Sequence, residues 1–231
     1  VEVARLSGDT VEWLELPDVS AADQPTRLQV ADSTAFNGGE GIWYHEGAVY
    51  FTTKGDDRVH ELRTDDDAYR VVYDAEKIDG EAPLRGVDNI TVEKGSSDLY
   101  VAEDGGSMQV VLITADGEVA PFLQVVGQDA SEITGPAFSP DGSRLYLSSQ
   151  RGTDGRGITY EVTGPFRGPE MLAAGATTTT APGETLEGAA AGDSDSDDGV
   201  PAPLIAGGVV AVLGAGAAGV VALRNRGSNS G

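Results

Sequence analysis

Four acids and one amide are the groups in this sequence whose types and spacing could do chemistry. Glu40 stands in "GGEGIW", Asp88 and Asn89 in "GVDNI", Glu103 in "YVAEDGG" and Glu132 in "SEITGPAF". Glu40, the Asp88–Asn89 pair and Glu132 each come just before or at the start of a run that reads as a strand. Glutamate is a poor turn residue, and a carboxylate held against apolar neighbours is costly unless it is paired. Each of these acids therefore faces either water or a cation. Carboxylates and an amide brought together suit calcium, which takes about six to eight oxygen ligands. Arg85 in "PLRGVDN" and Arg151 in "SSQRG" are the candidate substrate-binding groups, because a guanidinium fork matches phosphate. Asp104, Asp116 and Asp141 stand in acid-glycine turn contexts and read as hairpin residues, and His45 beside Glu46 reads as solvated. Trp43, Tyr44 and Phe51 read as packing residues.

Composition narrows the chemistry further. The chain has 231 residues, a net charge of -23 and no cysteine. Nucleic acid is excluded as a partner, since it requires clustered basic residues. Without cysteine there is neither a disulfide scaffold nor a thiolate metal site. Two histidines, His45 and His60, cannot make a histidine-rich centre, so a metal held here would be an oxygen-liking one. No Ser-His-Asp order and no glycine-rich phosphate loop is present.

The elements that must position these acids are short strands. The segments "AVYFTT", "DLYVAE" and "RLYLSS" place Tyr50, Tyr100 and Tyr146 in equivalent positions, 46 to 50 residues apart. Each follows a Gly- or Asp-containing turn and leads into a second strand: "RVHELRT", "MQVVLIT" and "GITYEVT". Several short strands repeated at this spacing match β-propeller blades. The expected fold is all-β: a partial propeller over residues 1–166, with "DTVEWLELPD" finishing an earlier blade. Three clear repeats do not close a ring, so these read as the C-terminal blades of a larger propeller. In that arrangement acids at the start of each innermost strand converge near the axis, where like charges call for a neutralising cation.

Two further segments follow. Residues 167–203 are small, polar and acidic, contain Thr177 to Thr180, and read as a disordered stalk. Leu204 to Leu223 is uncharged and has the length of a transmembrane helix. Arg224 and Arg226 follow it in a short tail, 224–231, while Asp193, Asp195, Asp197 and Asp198 precede it. The positive-inside rule then gives a single-pass cell-membrane protein with its β domain on the extracytoplasmic side.

"GGEGIWYHEGAVYFTT", "GVDNITVEKGSSDLYVAEDGG" and "SEITGPAFSPDGSRLYLSSQ" together resemble the C-terminal blades of the PhoX-like alkaline phosphatases. The resemblance covers about Phe36 to Gln150. It implies a six-bladed, exported propeller that uses calcium and iron at its channel mouth to hydrolyse phosphate monoesters. It also implies metal-ligand roles for Glu40, Glu103 and Glu132. The family's irons are bridged by a cysteine that this chain lacks, so calcium is the cofactor expected here, and iron would need that cysteine from blades upstream of these residues. Two other readings remain open: a calcium-dependent lactonase resembling the gluconolactonase and regucalcin propellers, and a non-catalytic surface propeller held together by calcium.

Overall fold

A computed structural model describes residues 1–152, 155–168 and 209–212. The described chain is all-β, built from antiparallel sheets. A hairpin of β1 (Glu2–Ser7) and β2 (Thr10–Glu15) comes first. The first sheet is β3 (Gly39–His45), β4 (Ala48–Thr53), β5 (Arg58–Arg63) and β6 (Tyr69–Asp74), paired in sequence order. The second is β7 (Val87–Val92), β8 (Leu99–Glu103), β9 (Gln109–Ile113) and β10 (Val119–Val126). The third is β11 (Ile133–Phe138), β12 (Arg144–Ser149) and β13 (Ile158–Thr163). The three repeats expected from the aligned tyrosines are thus three separate meanders. The turn from β3 to β4 shows the local logic: Glu46 and Gly47 have φ of 45° and 81°. That is the doubly left-handed geometry matching the twist of a two-residue hairpin.

The hairpin carries "DTVEWLELPD" and joins the first sheet through backbone. Val11 donates its N–H to Asp67 at 2.8 Å, and Tyr69 donates to Asp9 at 2.7 Å. Tyr44 differs from the packing role expected of it, since it stands 64% exposed beside Ile42 on β3. Trp43, one position along, turns to the opposite face and packs on the core.

Two apolar layers bind the sheets together, and β8 feeds both. All five of its residues are buried. Leu99 and Val101 join Val59, Val87 and Ile90 between the first and second sheets. Tyr100 and Ala102 point the other way, to Leu123, Ile133 and Leu147 between the second and third. A strand covered on both faces loses the apolar–polar alternation of a half-exposed one. Tyr100 is 1% exposed, with the rings of Phe122 and Phe138 edge-on at 5.0 Å.

The leading strands β3, β7 and β11 are neighbours, with β7 in the middle. Each carries a register irregularity near its start, between Gly39 and Ile42, Val87 and Ile90, and Thr134 and Ala137. An extra residue in one strand re-aims side chains there. The acids of the sequence cluster around these three bulges.

Val209–Val212 runs antiparallel to β10 as a further strand, β14, with Val210 opposite Val125. These four residues, which lie inside the span expected to be a transmembrane helix, are extended. Three of the four are β-branched valine, and the outer edge of β10 offers unpaired backbone groups. The rest of 204–223, nearly all of the stalk and the 224–231 tail lie outside the described residues. Among the described residues no helix is long and apolar enough to cross a membrane.

Candidate metal centre

Close backbone approach builds the site. An added Cβ on Gly41 would stand 2.7 Å from the Asp88 carbonyl oxygen and 2.8 Å from Asn89 Cα, so only glycine lets β3 lie this near β7. Thr52 on β4 locks the approach. Its hydroxyl donates to the Asp88 carbonyl at 2.6 Å and accepts the Gly41 N–H at 2.8 Å. Asn89 ties β7 to β11 in turn. Its side-chain oxygen accepts the Gly135 N–H at 2.7 Å and the Thr134 hydroxyl at 3.1 Å, and its amide donates to Asp88 Oδ1 at 2.6 Å.

These contacts gather Asp88, Asp104 and Glu132, each offering one carboxylate oxygen within 4.8 Å of the other two. Oxygens bound to one calcium ion at about 2.3–2.6 Å can be no more than about 5.2 Å apart, so the group fits a single ion. Burial holds the Asp88 carboxyl above the usual carboxylate range, and the nearby charges of Glu40 and Glu132 push the same way. A divalent cation would relieve all three effects.

Two cations flank the acids. Lys54 Nζ pairs with Asp104 Oδ2 across the first and second sheets. Arg151 Nη2 lies 3.1 Å from Glu132 Oε2 and 3.9 Å from Asp104 Oδ1. The donor set is all oxygen. His60 is buried elsewhere, its ring nitrogens at 2.8 Å from Thr53 Oγ1 and Tyr69 Oη. His45, expected to be solvated, is partly buried and bonds Ser97 at 3.1 Å. An iron site of the cysteine-bridged kind has no counterpart in these residues.

The expected residues divide as follows. Asp88 and Glu132 meet, and Asn89 stands beside them as the brace between sheets. Glu40 is exposed at its bulge, outside the three-acid group yet near enough to act on Asp88. Glu103 is 5% exposed and accepts the backbone N–H of Gln109 at 3.0 Å and of Arg85 at 3.4 Å. Burial pushes its carboxyl up to about 7 against the pull of those two bonds. Arg85 reaches Glu76 at 3.2 Å and Asp57 at 3.4 Å. Asp104, read from sequence as a hairpin acid, is instead the third member of the group. One signal could have found it: counted from the aligned tyrosines, Lys54 and Asp104 hold the same place, directly after the second strand of their repeats. Asp141 keeps its turn role, with its carboxyl held down at about 2 by bonds from Ser139 and Ser143.

No protein-family model matches the chain, and no curated protein matches it.

Proposed function

We propose that the chain forms part of a β-propeller hydrolase of the PhoX-like type, which binds calcium through Asp88, Asp104 and Glu132 and acts on phosphate monoesters. The observation that carries this reading is the pairing of a calcium-sized group of three carboxylates with two cations at its rim. The bound ion would polarise a phosphoryl oxygen and screen its negative charge. This chain's own residues do the rest. Lys54 and Arg151, which pair with Asp104 and Glu132 at the rim, would face an anionic substrate held beside that ion. A neutral lactone has no use for two such cations, which sets the lactonase reading second. Location outside the cell, attached through residues 204–223, belongs to the same proposal and requires Val209–Val212 to leave β10 for a helix.

Calcium titration of the full chain tests this. At a hundredfold excess over Kd the ion adds about 2.7 kcal/mol to stability, a rise in Tm that a chelator reverses. Asp88→Asn removes that rise, and hydrolysis of p-nitrophenyl phosphate depends on the ion in the same way. A Tm indifferent to both calcium and chelator sinks the metal reading. A calcium-dependent rise with turnover of lactones but not phosphate esters moves the assignment to the lactonase.

A further inference from the structure

A cavity of about 580 Å³ opens between the segment before β7 and the loop joining β8 to β9. Its volume lies in the range of small-molecule sites. Asp104 belongs both to its wall and to the three-acid group, so the cavity adjoins the cluster at that residue. We propose that this cavity is the subsite for the alcohol portion of the substrate, and that the alcohol it takes is polyhydroxylated, as in a sugar phosphate. The inference rests on the phosphatase reading and deepens it.

The wall chemistry selects hydroxyl groups. Glu81, Ser107 and Gln109 line the cavity, and among the described residues their side chains have no hydrogen-bond or ion-pair partner. An amide and a hydroxyl can each donate and accept, which is what a ring of alcohol groups requires. Glu103, buried on the same wall, accepts one backbone N–H at each carboxylate oxygen and keeps acceptor capacity for O–H donors. The single arginine there, Arg85, is held by Asp57 and Glu76. With Asp104 and the exposed Glu81 on the wall, a second anionic group is disfavoured, whereas a neutral polyol is not. Pro83 and Pro121 supply the apolar surface that the C–H face of a sugar ring covers. A phosphate ester lying with its phosphoryl group at Lys54 and Arg151 would reach past Asp104 into this space.

The test is calorimetric titration of the calcium-loaded full chain with inorganic phosphate and with glucose 6-phosphate supplied as its non-hydrolysable phosphonate analogue. Glucose 6-phosphate should bind at least about tenfold more tightly than phosphate, a difference of about 1.4 kcal/mol. Gln109→Leu, which keeps bulk and removes the amide, should bring glucose 6-phosphate down to the affinity of phosphate and leave phosphate and calcium binding unchanged. Ser107→Tyr, made on an exposed loop and filling the cavity from its rim, should do the same without relying on the strand position. Equal affinity of the wild type for the two ligands, or undiminished selectivity in both variants, overturns the subsite while phosphate binding upholds the metal site. A wild type that binds calcium but neither ligand overturns the phosphatase reading and the subsite with it.

Discussion

The Thr52 hydroxyl donates to the Asp88 carbonyl at 2.6 Å, so a residue of the first sheet holds in place the backbone of an acid in the second. The candidate metal group is therefore a product of how the sheets meet.

Thr52 is fully buried. Replacing it with valine keeps its shape but leaves the Asp88 carbonyl and the Gly41 N–H without this partner. The expected loss is about 1–3 kcal/mol, read as a lower urea midpoint. Gly41→Ala should cost a similar amount, about 1–3 kcal/mol, because its methyl group meets backbone that can yield only by separating β3 from β7. Both variants should also weaken calcium binding. Wild-type stability in both would show that the close approach of the two strands is not a constraint.

His60 predicts an acid-sensitive fold. Its ring stacks on Phe51 at 4.6 Å, and burial lowers its pKa from 6.5 to about 4. A lowered histidine pKa means that the folded state prefers the neutral ring. The contribution is complete above pH 6.5, is lost as pH falls through the window to about 4, and then stays lost. Its size is about 3 kcal/mol. His60→Phe should be less stable at neutral pH, having lost the bonds to Thr53 and Tyr69, but should show a flatter stability profile between pH 6.5 and 4. Parallel profiles for the two proteins across that window would remove His60 as the titrating group.

Glu40 and Glu46 make an internal comparison. Glu40 stands at the β3 bulge and acts on Asp88, whereas Glu46 sits in the β3–β4 turn with φ of 45°. Glu40→Gln should weaken calcium several-fold, less than Asp88→Asn does, by removing one charge from the rim of the site. Glu46→Gln should leave calcium affinity unchanged and stability within about 0.5 kcal/mol. Identical calcium isotherms for the two variants would mean that Glu40 plays no part in the site.

Truncation after Gly199 tests the proposed membrane attachment separately from the β domain. The shortened protein should stay in the supernatant after high-speed centrifugation of washed membranes, with the calcium response intact. Continued sedimentation with the membranes would place the attachment elsewhere in the chain.

Much of this protein was legible from local pattern. β-branched and aromatic runs between Gly- and Asp-containing turns mark the strands, and the placing of Tyr50, Tyr100 and Tyr146 marks the repeats. Both follow from short-range rules of backbone preference and alternation, which do not need to know what a strand packs against. Asp88, Asn89 and Glu132 were visible as groups at strand starts for the same reason. Which carboxylates meet was decided only in three dimensions. Glu103 and Asp104 are adjacent in the chain, yet at the end of β8 one turns back to the N–H groups of Arg85 and Gln109 while the other reaches Lys54 of the neighbouring sheet. Successive side chains of a strand point to opposite faces, so a shift of one residue separates a buried carboxylate from a member of the three-acid group. Position in the repeat puts Asp104 at the place of Lys54, but it does not say which side chains there will meet across the sheets. That depends on Gly41, Thr52 and Asn89 drawing three bulged strands together, through contacts between residues 36 to 46 positions apart.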